Sequence, residues 1–162
     1  RMLVAGEDPL FIARRLVRMA YEDVGLADPE AAHQALAAKE TYDFLGSPEG
    51  ELALAQAAVY IATAPKSNAL YTAYKAASQR ARETGSLAPP KIILNAPTKL
   101  MKQQEYGAGY KYDHDQPEAF SGQNYFPDGM GREAYYAPVE RGFEREVRKR
   151  LEYWAKLRKE RG

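Results

Sequence analysis

The chain has 162 residues, a net charge of +1 at pH 7 and 28% charged residues. This length is sufficient for one domain with a buried core, and the balanced charge gives no global polycationic signal of nucleic-acid binding. The absence of cysteine excludes disulfides and thiolate chemistry.

The first predicted helix spans residues 9–24. Asp8 is a good N-cap, Pro9 suits the first helical position, and Gly25 ends the helix. Its apolar residues form a wide stripe, which predicts packing against two neighbouring helices. The main face of that stripe is Leu10, Ala13, Val17, Ala20 and Val24.

Three more helices follow at short intervals, over about residues 28–45, 47–64 and 67–84. The second of these contains the longest apolar run, Leu52–Ala64, which is too short to cross a bilayer and predicts a buried helix. The third is rich in alanines that favour close helix packing: Ala69, Ala73, Ala76, Ala77 and Ala81. We therefore expect residues 1–86 to form an all-α helical bundle.

Residues 87–141 differ in composition, with six of the twelve tyrosines and many glycines and prolines. This segment is too aromatic to be disordered, so we expect an ordered, loop-rich extension packed on the bundle, with a short helix near Pro97–Gln104.

Residues 142–162 predict a basic amphipathic helix with a narrow apolar stripe. Glutamate and a base recur four residues apart, which is the spacing of helical ion pairs. The expected pairs are Glu144–Arg148, Glu146–Arg150 and Glu152–Lys156.

The sequence contains no phosphate-binding Gly-x-x-x-x-Gly-Lys-Ser/Thr loop. The run Asp113-His114-Asp115 places adjacent side chains in different directions, which favours an ordinary polar loop over a metal site. We therefore predict no catalytic, cofactor-binding or metal-binding residue, and no enzyme activity in this chain by itself.

Several basic residues are candidates for contact with DNA or with a partner protein. In each case the alternative is an ordinary solvated helix face, with Arg18 paired to Glu22 one turn later. The candidates are Arg14, Arg15, Arg18, Lys99, Lys102, Arg148 and Lys149.

Longer segments carry a family resemblance. They are Gly6–Pro29, Ser67–Ala73, Asn95–Lys102, Tyr106–Tyr112, Gln123–Asp128 and Gly142-Phe143-Glu144. In order along the chain they resemble the C-terminal region of the RarA/MgsA family, clamp-loader-like AAA+ ATPases of replication and recombination that are related to the Werner-helicase-interacting protein. Leu94 departs from the pattern, because the resemblance leads us to expect an arginine before the Asn-Ala pair.

The resemblance implies that the chain is a fragment of a longer protein whose ATPase module, with its ATP and Mg, lies elsewhere. It implies a helical domain like the collar of clamp loaders, acting in homo-tetramer assembly. It further implies a cytoplasmic, nucleoid-associated parent without membrane attachment. That parent would be a DNA-dependent ATPase at stalled forks, with single-strand-binding protein as a possible partner.

The residues leave two other hypotheses open. One is an adaptor module that binds nucleic acid or single-strand-binding protein, for which salt-sensitive DNA binding is the discriminating property. The other is a small-ligand site in the Tyr/Gly-rich loop, for which ligand-dependent thermal stabilisation is the test.

Overall fold

The computed structural model describes residues 1–161, which form helices, turns and loops without a strand. The α-helices within this range are α1 (Pro9–Met19), α2 (Glu30–Leu45), α3 (Glu51–Thr63), α4 (Ala69–Thr84), α5 (Lys99–Gln103) and α6 (Glu144–Arg161). The predicted all-α class is confirmed.

By contacts the chain divides into two compact units. Unit 1 is Arg1–Lys75 with Tyr136–Arg150, and unit 2 is Ala76–Tyr135 with Leu151–Gly162. This division cuts across the segments 1–86, 87–141 and 142–162 that composition indicated, because its boundaries fall inside α4 and α6.

Asp8 caps α1, as the sequence predicts, and Thr98 caps α5 in the same way. The Asp8 carboxylate accepts the Leu10 N–H at 2.9 Å, and the Thr98 hydroxyl accepts the Met101 N–H at 3.2 Å. Such caps satisfy backbone donors that have no partner within the helix.

The first predicted helix, residues 9–24, is not α-helical throughout. After α1 the chain forms a π-helical turn, Ala20–Val24, where the sequence predicted a continuous α-helix. The Asp23 carbonyl accepts the Ser67 N–H at 2.8 Å, and a Cβ on Gly25 would lie 2.7 Å from the Ser67 carbonyl oxygen. Glycine at position 25 therefore allows the Ser67 backbone to approach this turn closely.

The core of unit 1 lies where α1, α2 and α3 pack against one another. Its buried members are small or branched: Ala13, Leu16, Ala20, Val24, Ala31, Ala32, Ala35, Ala38, Leu54, Ala57 and Ile61. The expectation that the first helix needs two neighbours is confirmed. Burying a side chain such as Leu54 contributes about 2 kcal/mol. In α4, Ala69 and Ala73 are buried, but Ala76 and Ala81 are exposed, so the predicted close packing applies only to its first turns.

The carboxyl group of Glu144 is fully buried and anchors Tyr136–Arg150, the second segment of unit 1. It accepts hydrogen bonds from the Ser67 hydroxyl at 2.9 Å, the Tyr136 hydroxyl at 2.8 Å and the Val139 N–H at 2.8 Å. Ser67 is itself buried, and its hydroxyl oxygen also accepts the Ala69 N–H at 3.2 Å at the start of α4. One carboxyl group thus joins three separate stretches of chain.

We call the place where Ser67, residues 136–139 and the start of α6 meet the junction. Backbone contacts stabilise it further. The Phe143 N–H donates to the Ala27 carbonyl at 2.8 Å. Gly142 has φ +51°, and a Cβ there would lie only 1.9 Å from the Ala27 oxygen. This position accepts glycine alone without displacing the backbone.

The three ion pairs expected on α6 were wrong. Glu144 is buried in the junction instead, and Arg148 pairs with Glu140 at 2.6 Å. Glu146 pairs with Lys149 at 2.9 Å, and Lys156 lies 3.8 Å from Glu160. Local spacing did not decide these partners, because exposed pairs differ in free energy by only a few tenths of a kcal/mol.

Replacing Glu144 with alanine is expected to lower the free energy of unfolding by roughly 2–4 kcal/mol, because the buried Ser67 hydroxyl and the half-buried donors of Tyr136 and Val139 lose their acceptor. Urea denaturation followed by circular dichroism measures the effect. Glu146→Ala is the matched control, since Glu146 is exposed and lies only two residues further along α6, and it should change little. Equal effects of the two substitutions would contradict the role given to Glu144.

The Tyr136 hydroxyl should make stability fall at alkaline pH. Burial raises its pKa well above the ordinary value of 10.0, and the hydrogen bond to Glu144 raises it further. The unfolded chain therefore releases this proton at a lower pH than the folded chain, and the stabilisation is lost as pH rises above 10. In urea titrations from pH 8 upward, the stability difference between wild type and Tyr136→Phe should shrink above that pH. A constant difference would contradict the assignment.

Candidate functional site

One side of α3 is exposed, although the sequence predicted a buried helix. Leu52 is 76% exposed and Val59 is 64% exposed, while Leu54, Ala57 and Ile61 on the other side are buried. The residues of the exposed side recur at helical spacing and form what we call the outer α3 face: Leu52, Ala55, Val59 and Ala62.

The outer α3 face carries no charge. No Asp, Glu, Lys or Arg occurs in residues 52–65. The hydroxyl of Thr63 donates to the Val59 carbonyl at 2.9 Å, so that polar group is satisfied within its own helix. A surface helix normally places charged residues opposite its buried side, so the uncharged outer α3 face is a candidate contact surface.

A groove of about 650 Å³ lies in the same unit, where α1 faces the end of α3. Its apolar lining includes Leu16, Met19 and Ile61, and Asp23 and Arg141 supply charge. The Lys66 ammonium also lines it and donates to the carbonyls of Ile61 and Ala64. Lys66 is therefore engaged in capping the end of α3.

The arginines proposed on the first helix lie together on its solvent side. Arg14, Arg15 and Arg18 are all exposed. Arg18 forms the expected pair with Glu22, at 2.8 Å, so its guanidinium is partly neutralised. Arg14 and Arg15 form no ion pair with another residue of the described range 1–161.

The two basic candidates on α6, Arg148 and Lys149, bind other residues of unit 1. Besides its pair with Glu140, Arg148 donates to the Pro138 carbonyl at 2.7 Å, and Lys149 pairs with Glu146. These five basic residues belong to unit 1, whereas Lys99 and Lys102 belong to unit 2, on or beside α5. Their contact with DNA or with a partner stays a prediction.

Sequence reasoning missed Leu52 and Val59 as surface residues, and it missed the joint role of Ser67, Tyr136 and Glu144. A usable signal existed for one pair, because Ser67 and Glu144 each lie in a segment that carries the family resemblance. The alanine-rich run gave no sign of which half would be exposed, since small apolar residues suit either environment.

Metal sites and membrane spans are both absent from the part of the chain that the structure describes. No group of three or more His, Cys, Asp or Glu side chains there is placed to hold a metal ion. None of its helices has the length and hydropathy needed to span a membrane.

Fold and surface together define a small α-helical domain with an uncharged outer helix face. Residues 1–155 match the model of the family described as MgsA AAA+ ATPase C terminal. The chain belongs to this family, and it is thus the C-terminal domain of an AAA+ ATPase.

Named relatives agree with this placement. The chain is 51% identical to replication-associated recombination protein A of Coxiella burnetii, over 97% of this chain and 36% of the relative. It is 48% identical to the protein of the same name from Escherichia coli strain K12, over 96% of this chain and 35% of the relative. It is also 42% identical to ATPase WRNIP1 of Dictyostelium discoideum, over 84% of this chain and 16% of the relative. The chain spans about a third of the length of the two bacterial relatives.

Proposed function

We propose that this chain is the assembly domain of a DNA-dependent AAA+ ATPase, and that it joins copies of the protein into a homotetramer through the outer α3 face. The observation that carries the proposal is the exposure of Leu52 and Val59 on a stretch of chain, residues 52–65, that contains no charged residue. Burying such a face on a second molecule removes apolar surface from water, which is the main driving force of protein association.

The chemistry of the face favours a second copy of the chain as its occupant. A two-fold contact places the same patch on both subunits, so a charged patch would meet its own charge. The outer α3 face avoids this problem. Ala55 and Ala62 are small enough to let a second helix approach closely, and Leu52 and Val59 can fill the remaining space of an antiparallel pair.

A tetramer with two-fold symmetry needs a second kind of contact. We propose that the end of α2 provides it, because Phe44 is 88% exposed and Leu45 is 49% exposed. Leu45 and Leu52 line the same groove of about 310 Å³, so this patch adjoins the outer α3 face.

The remaining activities are proposed for the parent protein. The names of the bacterial relatives, replication-associated recombination proteins, support a role in replication and recombination. Repair at stalled forks is proposed from the family resemblance. ATP and Mg would bind an ATPase module outside this chain, which has no phosphate-binding loop of its own. DNA and single-strand-binding protein would be partners of the assembled parent, in the cytoplasm at the nucleoid.

Val59→Glu is expected to convert the tetramer to a smaller species, because it places a charge in the centre of the proposed contact. Light scattering on a sizing column across a micromolar concentration series measures the mass. Val4→Glu is the matched control, since Val4 is 95% exposed and lies outside α3, and it should leave the mass unchanged. A wild-type monomer throughout the series would refute the proposal.

Phe44→Ser is expected to give a dimer rather than a monomer, because it removes only the second contact. The same light-scattering measurement tests it. If Phe44→Ser stays tetrameric while Val59→Glu dissociates, the second contact lies elsewhere in the protein.

A further inference from the structure

Unit 2 contains a cleft of about 680 Å³ that the assembly proposal does not use. Tyr106, Tyr110 and Tyr125 line it, and Tyr110 and Tyr125 are 48% and 41% exposed. Leu94 lines the same cleft, at the position where the resemblance led us to expect an arginine. Exposed phenol rings around one cleft offer flat surfaces on which another planar group can stack.

Hydrogen bonds between loops hold the walls of the cleft in place. The Gly107 N–H donates to the Lys91 carbonyl at 2.8 Å. The Gln123 side chain accepts the Lys111 N–H at 2.8 Å and donates to the Gly109 carbonyl at 2.7 Å. The cleft is therefore formed before any ligand arrives, which lowers the entropic cost of binding.

Two polar side chains in the lining suit the edge of a nucleobase. Hydrogen bonds from the hydroxyl and the N–H of Ser121 lower the pKa of Asp113, which keeps its carboxylate an acceptor. The Asn95 side-chain amide also lines the cleft, and Asn95 is exposed. A carboxylate accepts the exocyclic amino group of cytosine, and an amide both donates and accepts.

Lysines are frequent in residues 91–111, a segment that supplies much of the cleft lining. Residues 91–111 contain four lysines and one acid, Glu105, and the lysines are Lys91, Lys99, Lys102 and Lys111. All four are exposed, and none forms an ion pair with a residue of the described range. Exposed ammonium groups without acidic partners are available to phosphates.

Two arginines, Arg132 and Arg158, contact residues 120–123. Arg132 donates to the Gly122 and Gln123 carbonyls at 3.1 and 2.7 Å, and the Arg158 guanidinium lies 5.7 Å from the centre of the Phe120 ring. Residues 120–123 connect directly to the wall, because the Ser121 N–H donates to Asp113 at 2.7 Å. Residues 112–131 themselves carry acids, Asp113, Asp115, Glu118 and Asp128, so the positive charge near the cleft comes from the lysines of residues 91–111.

We propose that the cleft binds single-stranded nucleic acid, with one unpaired base stacked among Tyr106, Tyr110 and Tyr125 and the neighbouring phosphates on Lys99 and Lys102. Aromatic stacking beside a basic surface is the combination by which proteins bind single strands. An acidic peptide would satisfy the lysines but would leave the tyrosine faces without a planar partner. The site is independent of the outer α3 face and adds a ligand to the assembly function.

The test is fluorescence anisotropy of the 162-residue chain with labelled (dC)15 at 50 mM salt. Tyr110→Ala should weaken binding by about 10-fold, because base stacking on an aromatic side chain contributes ~1–3 kcal/mol. Tyr110→Phe, which keeps the ring, should bind like wild type. Tyr74→Ala is the matched control, since Tyr74 is 73% exposed and belongs to unit 1, and it should have no effect.

The phosphate contacts have their own measurement. Lys99→Ala and Lys102→Ala should each reduce the slope of log Kd against log salt by about one. An abasic 15-mer should bind more weakly than (dC)15, because it lacks the stacked base. Absence of (dC)15 binding at 50 mM salt would overturn the proposal, as would equal binding of the abasic strand or equal binding of poly-glutamate.

Discussion

Unit 1 depends on the burial of one carboxyl group. Glu144 has no exposed surface and forms no ion pair with a residue of the described range, so its oxygens rely on donors from Ser67, Tyr136 and Val139. A buried carboxyl group that loses a donor costs free energy. The three segments are consequently fixed in one register, and Gly142 and Phe143 are held against the Ala27 carbonyl. The start of α6 is thereby held to Ser67, a residue 77 positions earlier in the chain.

This junction leaves α3 with neighbours on one side only. Its inner residues, Leu54, Ala57 and Ile61, pack in the core with α1 and α2. The segment that Glu144 fastens contacts the turn after α1 and the chain after α3, through Ala27 and Ser67. Nothing in unit 1 covers Leu52 or Val59, which stay largely exposed. One side of α3 is therefore buried in its own domain, and the other side is available for the proposed assembly.

The sequence predicts helix ends better than it predicts side-chain partners. Asp8 and Gly25 mark the limits of the first helical segment, because capping involves residues within one turn. Glu144 was assigned to Arg148, because spacing cannot reveal a Ser67 hydroxyl 77 residues away. The outer α3 face was not predicted, and contact of the basic candidates with DNA or with a partner stays a prediction. Lys99 and Lys102 were recognised as basic, but the tyrosines beside them have no periodicity that would indicate a common cleft.

The absence of charge on the outer α3 face has a thermodynamic consequence. Association through such a face is hydrophobic, so it weakens on cooling and carries a negative heat-capacity change. Added salt would screen nothing across it, whereas binding of phosphates to lysines in unit 2 would decline steeply with ionic strength. Temperature and salt would therefore act on different parts of this protein, and its self-association could be varied without changing its affinity for nucleic acid.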